Sequence, residues 1–371
     1  MSKRGKRNSN LELLRIISMF FIVLHHYAYH GSMEWAQEYN RAYVNSDYVY
    51  LILSCLGKAA VVSFVMIGAY FLSRKQFKIL RVVHLCITTF VYSWIIYLFL
   101  DWRFPQFIHG KSMQEIWWPI PIPSNYWFVI AYVYLLLIMP FMNLIINKLT
   151  RRQLVILIWI LVIFWCFLEF IPNNKLDNVD YSYFNFNNYF LLIYLIAGYV
   201  RKYRPIWTVG IGKTFLIFAI GLVVSFSIIY NTTSKNYNSF AVIMASLSNP
   251  LSLVIGVTTF SLFNNINLGH NRIINYISKS MFGVYLIHDN SFIRPIIWHK
   301  FINTKLYAVN SSKYLQYGLQ VSAIIFCICV GIDIFKRIFI DPIINFLVVK
   351  STNTLIQWSR GSKKIKDNEK V

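Results

Sequence analysis

Charge is scarce in this sequence. Only 13% of its 371 residues are Asp, Glu, Lys or Arg, against about a quarter in soluble domains. That deficit excludes a water-soluble globular chain, because most of the surface must face lipid or other buried helices. Acidic residues are the scarcest, with 14 Asp and Glu against 36 Lys and Arg, for a net charge of +22. The cations are scattered between apolar runs and do not form one basic face, which argues against a nucleic-acid partner. Cysteine is also sparse. Cys55, Cys86, Cys166, Cys327 and Cys329 all lie in apolar segments. Their odd count and lack of ligand spacing give no disulfide framework and no zinc site. No small-residue cleavage site follows the basic N-terminal segment MSKRGKRNSN, so the first apolar run reads as a retained helix. No internal repeat is visible, which weighs against transporter folds built from two related halves. The outer loops, such as 30–47 and 101–125, are short, so no fused extracellular domain is expected.

Apolar runs are abundant: 57% of residues are hydrophobic and 18% aromatic. A span needs about 20 apolar residues. Runs at 11–29, 48–72, 82–100, 126–147, 153–171, 187–200, 214–230, 240–263, 281–298 and 317–349 predict an all-α bundle of about ten transmembrane helices. The eighth run is interrupted by Asn249-Pro250. The last exceeds one span, so its end should lie along the inner surface. With the N-terminus inside, 23 lysines and arginines fall on inner segments and 8 on outer loops. This asymmetry supports an even number of spans with both termini cytoplasmic. Residues 1–349 form the membrane domain and 350–371 a basic cytoplasmic tail apposed to lipid.

Polar residues inside spans are costly and mark function by default. Arg15 and His26 are eleven residues apart on the first helix, hence on one face and about 16 Å apart along the axis. A cation at the inner surface and an imidazole three turns deeper suit a long, thin molecule with an anionic head, such as acyl-coenzyme A. Snorkelling of Arg15 to head groups, with His26 as an interhelical donor, fits equally well. Lys78 and Arg81, read as i, i+3 on one helical face, suit a phosphate clamp. An ordinary basic inner loop is the plainer account. Asn125, Tyr126 and Trp127, held by the proline-rich 119–123 stretch, offer polar edges and stacking faces for a sugar, or an interfacial anchor. In the ninth run, His288, Asp289, Asn290, Ser291 and Arg294 interrupt an apolar helix at roughly the depth of His26. Asp289 can pair with Arg294 or orient His26 across the bundle. Adjacent His25 and His26 project about 100° apart, so no metal site is expected there.

Together these features resemble the acyltransferase-3 superfamily of integral membrane acyltransferases, and within it the Gram-positive branch of polysaccharide O-acetyltransferases. Residues 10–26, with Arg15 and His26 in the Arg/Lys-x10-His pattern, are similar to that branch's first helix. Lys78-Ile79-Leu80-Arg81 resembles its Arg-x-x-Arg pattern, with Lys in place of the first Arg. Asn125-Tyr126-Trp127-Phe128 and Tyr285-Leu286-Ile287-His288-Asp289-Asn290 also resemble stretches of the branch. The resemblance implies an O-acyltransferase of the cell membrane that carries an acetyl group from cytoplasmic acetyl-CoA, or another acyl-CoA, to a hydroxyl of a cell-surface or lipid-linked glycan.

By the same resemblance, His26 is catalytic and Arg15, Lys78 and Arg81 hold the donor. Asp289 is expected to orient His26, while Asn125, Tyr126, Trp127, His288 and Arg294 face the acceptor. An imidazole whose unperturbed pKa is about 6.5 suits general-base transfer. An acyl-histidine intermediate is the alternative. The rival readings are a transporter or flippase for a lipid-linked sugar and a sensor with a degenerate site.

Overall fold

A computed structural model describes residues 8–33, 47–108, 123–167, 186–234, 247–303 and 310–343. The described residues are helical, with no strand among them. The helices are α1 Ser9–Ala28, α2 Asp47–Leu72, α3 Ile79–Arg103, α4 Pro123–Lys148, α5 Arg151–Val162, α6 Phe186–Tyr203, α7 Ile211–Ser234, α8 Pro250–Asn265, α9 Arg272–Ile277, α10 Met281–His288 and α11 Ser311–Phe339. By length and apolarity, six of the described helical stretches can cross a membrane: Ser9–Gly31, Val49–Leu72, Ile79–Arg103, Tyr126–Lys148, Ile211–Asn231 and Ser311–Phe339. The other four expected spans coincide with shorter helical pieces. The tail from residue 350 and the expected surface segment after 343 lie outside the described residues.

Two expected spans differ in form. In the described part of the eighth, which starts at residue 247, the helix begins at Pro250. Asn249 caps it, its side chain accepting from the Leu251 amide at 2.9 Å, and proline at the first helical position needs no amide partner. The ninth is not a continuous helix over 281–298. It stops at His288, and Asp289 leaves helical geometry. Asn290 Oδ1 accepts from the Phe292 amide at 2.9 Å, and the chain resumes through Ile293–Pro295 into a wide turn over Ile296–Phe301. An Asx turn offers the backbone an alternative to the helical ladder. Broken helices survive at membrane depth where they line a cavity.

The first helix is the hub, packing on α2, α8, α9, α10 and α11. Asn8 caps its start, accepting from the Asn10 amide at 3.0 Å. Asn10 and Ser9 then tie that end to the 266–275 connection: Asn10 Nδ2 donates to Ile266 O, the Leu268 amide donates to Asn10 Oδ1 at 2.8 Å, and the Asn271 amide donates to Ser9 Oγ at 2.8 Å. Small residues let backbones approach, as in other membrane bundles. A Cβ at Gly57 of α2 would strike the Cβ of His25, and one at Gly256 of α8 would strike Val62.

Several cations near helix ends cap neighbouring helices. Lys202 Nζ donates to Ile146 O at 2.6 Å and to Asn147 O at 3.3 Å at the end of α4. The guanidinium of Arg201 donates to Tyr70 O. Helix C-termini leave carbonyls without partners and carry partial negative charge, so basic side chains settle there.

A buried polar clamp joins α3 and α11. Tyr92 donates to Asp333, and Arg337 Nε lies 3.7 Å from the same carboxylate. Gly283 of α10 leaves room for it, since a Cβ there would collide with Asp333. Asp333→Ala leaves the Arg337 charge without this partner and should cost about 3 kcal/mol. A thermal scan of the purified protein in detergent checks this against wild type.

Candidate active site

Arg15 and His26 do share one side of α1, and each opens on a separate cavity. A cavity of about 280 Å³ is lined by His25, His26, His30, Lys58, Asp289 and Arg294, with aromatic walls that include Phe64, Trp127, Phe128 and Phe282. A second, of about 260 Å³, is lined by Arg15, Tyr132, Ser278 and Lys279, and again by Phe64, Phe128 and Phe282. The two cavities therefore abut across the same three rings. Arg15 sits at 6.0 Å over the Phe64 ring and 3.6 Å from Glu12 one turn earlier.

The chemistry concentrates in the first cavity. Asp289, 2% exposed, sits where α10 breaks. Its Oδ1 lies 3.7 Å from His26 Nδ1, 3.6 Å from His30 Nε2 and 3.6 Å from Arg294. That oxygen makes no hydrogen bond among the described residues. His26 Nδ1 makes its short contact elsewhere, 2.9 Å from His288 Nε2. The other nitrogen of His288, Nδ1, is 2.6 Å from the Val284 carbonyl. Lys58 of α2 points into the same space with its ammonium 5.6 Å from the Tyr29 ring. Among the described residues no carboxylate lies within ion-pairing distance of it.

Not every sequence-predicted residue reaches the cavities. Trp127 and Arg294 line the first. Tyr126 does not. It is buried in a structural junction, its hydroxyl donating to Leu286 O at 2.8 Å and accepting from Asn290 Nδ2 at 2.6 Å. The side chain of Asn125 lies outside the described residues. His288, fully buried, sits behind His26 and off the cavity wall.

Lys78 and Arg81 do not share a helical face. Lys78 is the extended residue before α3, and Arg81 donates to Gln76 O at 2.8 Å. Neither lines the Arg15 cavity, although that end of the bundle is strongly positive. Lys75, in the α2–α3 connection, has its pKa lowered by partial burial and then by the guanidiniums of Arg81 and Arg201.

The wall residues that sequence reasoning missed include His30, Lys58, Phe64, Lys279 and Phe282. His25, whose role the sequence leaves open, is also on the wall. A further set was invisible from spacing, because ligand atoms of His26, His30 and Asp289 lie within 4.8 Å of one another and could surround a cation. Their surroundings suit a metal poorly. Arg294 lies 3.6 Å from the same carboxylate oxygen, and Lys58 adds a second positive charge to the wall.

Such an arrangement places an imidazole beside a carboxylate and two cations in one cavity, with a cavity that holds two further cations next door. Among known proteins, the family model described as an acyltransferase domain matches residues 8–335. No curated protein and no solved structure matches. The apolar helices and this match make the chain a multi-pass membrane protein and a member of the acyltransferase-3 family.

Proposed function

We propose that this acyltransferase carries an acetyl group, or another short acyl group, from cytoplasmic acyl-CoA to a hydroxyl of a glycan in the cell envelope. One observation supports this above all: the Arg15 cavity and the His26 cavity meet at Phe64, Phe128 and Phe282. In this reading both termini are cytoplasmic in a ten-span bundle, so the Arg15 cavity opens inward. Arg15 and Lys279 take the donor's phosphates, as guanidinium and ammonium groups commonly do. The thin thioester arm passes between the three rings and presents its carbonyl to His26. Lys78 and Arg81 act at longer range, enriching the inner mouth in positive charge.

The acceptor hydroxyl enters the His26 cavity, which has Asp289 on its wall. The carboxylate oxygen that lacks a hydrogen bond is a ready partner for a second sugar hydroxyl, and Trp127 and Arg294 border that space. Neutral His26 accepts the attacking hydroxyl's proton as the oxygen–carbon bond forms. The carbon–sulfur bond then breaks, and the same proton passes to the thiolate of coenzyme A. Negative charge develops on the carbonyl oxygen in the tetrahedral intermediate. Lys58, a cation on the wall of the same cavity, is placed to stabilise it.

Surface glycans from cells with and without the gene test the reaction. Base-labile acyl groups should be lost without it, and identical glycans would refute the glycan acceptor. Purified protein should consume labelled acetyl-CoA only when acceptor is added, whereas a transporter of lipid-linked sugar would leave acetyl-CoA intact. Arg15→Gln should raise the KM for acetyl-CoA about tenfold, the effect of losing one charged hydrogen bond, and change turnover less. An unchanged KM would remove Arg15 from the donor site.

A further inference from the structure

His288 has no place in that reaction as it stands, since it does not line the cavity. It is nonetheless the closest polar neighbour of His26. A backbone carbonyl can only accept, so the 2.6 Å contact between His288 Nδ1 and Val284 O makes Nδ1 the protonated nitrogen. In a neutral imidazole the other nitrogen, Nε2, is then an acceptor. It lies 2.9 Å from His26 Nδ1, which must donate to it. The chain of hydrogen bonds runs from His26 through His288 to the backbone of α10, and it leaves one nitrogen of His26 with a free lone pair.

We infer that His288 is the positioning residue that locks His26 in the tautomer protonated on Nδ1, so that the unprotonated Nε2 serves as the base facing the acceptor. This deepens the proposed function and rests on it. It also divides two roles that the sequence had joined. Asp289 stands 3.7 Å from His26 Nδ1, beyond hydrogen-bond length, so it acts on His26 by charge, while His288 sets its orientation.

The break after α10 makes the arrangement possible. His288 is the last helical residue, held by the helix's own carbonyl one turn back. Asp289 is the first residue outside, free to face the cavity. During transfer the hydroxyl proton arrives at Nε2. The imidazolium so formed keeps its Nδ1–H bonded to His288 with Asp289 alongside. The proton leaves from Nε2 to the departing thiolate, so His26 ends in its starting tautomer and nothing has to flip between turnovers.

Two substitutions and one spectrum test this. His288→Leu removes the acceptor. His288→Gln keeps a carbonyl oxygen near the position of Nε2. Turnover should fall at least about a hundredfold in the leucine variant, since loss of the correct tautomer is costly in histidine-based catalysis. The KM for acetyl-CoA should not move, and the glutamine variant should recover at least a tenth of wild-type turnover.

Nitrogen NMR of isotopically labelled histidine, in protein held in lipid nanodiscs, reads the tautomer without any acyl transfer. Wild-type His26 should show a protonated Nδ1 and a bare Nε2. The inference is overturned if wild-type His26 carries its proton on Nε2, if the leucine variant turns over normally, or if the folded glutamine and leucine variants are equally inactive. Should wild-type protein fail to transfer acetyl at all while His26 shows the bare Nε2, the proposed function falls and the tautomer assignment stands.

Discussion

His26→Ala should abolish acyl transfer, lowering turnover by about 10² to 10⁴, the usual worth of a positioned general base. The variant should still insert and fold. His26 is nearly buried, at 6% exposure, but its short polar contact is to one side chain, His288. The rest of α1 is held by packing around Gly57 and by the Asn10 and Ser9 ties at the far end. Wild-type elution from size exclusion, together with loss of labelled acetyl on the acceptor, is the expected pair of results. Normal transfer by this variant would sink the assignment of the base. The measurement also bears on the choice between direct transfer and an acyl-histidine intermediate. If His26 were a nucleophile, labelled acetyl would remain on wild-type protein trapped before acceptor is added.

Lys58→Met carries the second large effect. Methionine fills a similar volume without the charge, so the cavity should keep its shape. If the ammonium stabilises the tetrahedral oxyanion, turnover should drop by about 10² to 10³. The KM for acetyl-CoA should stay near wild type, because the proposed site for the phosphates is on the Arg15 side of the three rings. Lys58→Arg keeps the charge with a different reach and should recover part of the loss. Steady-state kinetics with varied donor separates the outcomes, since a raised KM with intact turnover would place Lys58 in substrate binding instead. Unchanged kinetics would remove it from the reaction.

Much of this was legible in the sequence. The Arg15–His26 face follows from helical geometry alone, and Asp289 and Arg294 stood out as charges in an apolar run. Lys58 left a fainter signal. Of 36 lysines and arginines, 31 fall on segments outside the expected spans, and Lys58 is among the five that remain. It was overlooked because it sits alone in its helix, with no neighbour in sequence to suggest a cluster. The abutting cavities could not be read at all. They depend on Phe64, Phe128 and Phe282 converging from three helices, and phenylalanines in a membrane chain look alike until packed. The different placing of His288, 2.9 Å from His26, and Asp289, 3.7 Å from it, was equally hidden, because it turns on a helix ending between two adjacent residues. Lys78 departs from its expected place for a related reason: the i, i+3 rule applies only inside a helix, and α3 begins one residue later.

The three rings shared by the cavities bear on something besides catalysis. A membrane that holds a voltage cannot contain an open aqueous bore, and histidines, lysines and carboxylates strung along such a bore would pass protons down the gradient. Phe64 and Phe128, with ring centroids 5.9 Å apart, and Phe282 stand where the two cavities meet, and in the proposed reading they would serve as an insulating plug. An extended thioester arm can take the plug's place during a turnover without admitting a file of water. In the proposed reading the enzyme works across a bilayer without short-circuiting it, and replacing those rings with alanine should reveal itself as proton leak into vesicles before it changes the chemistry.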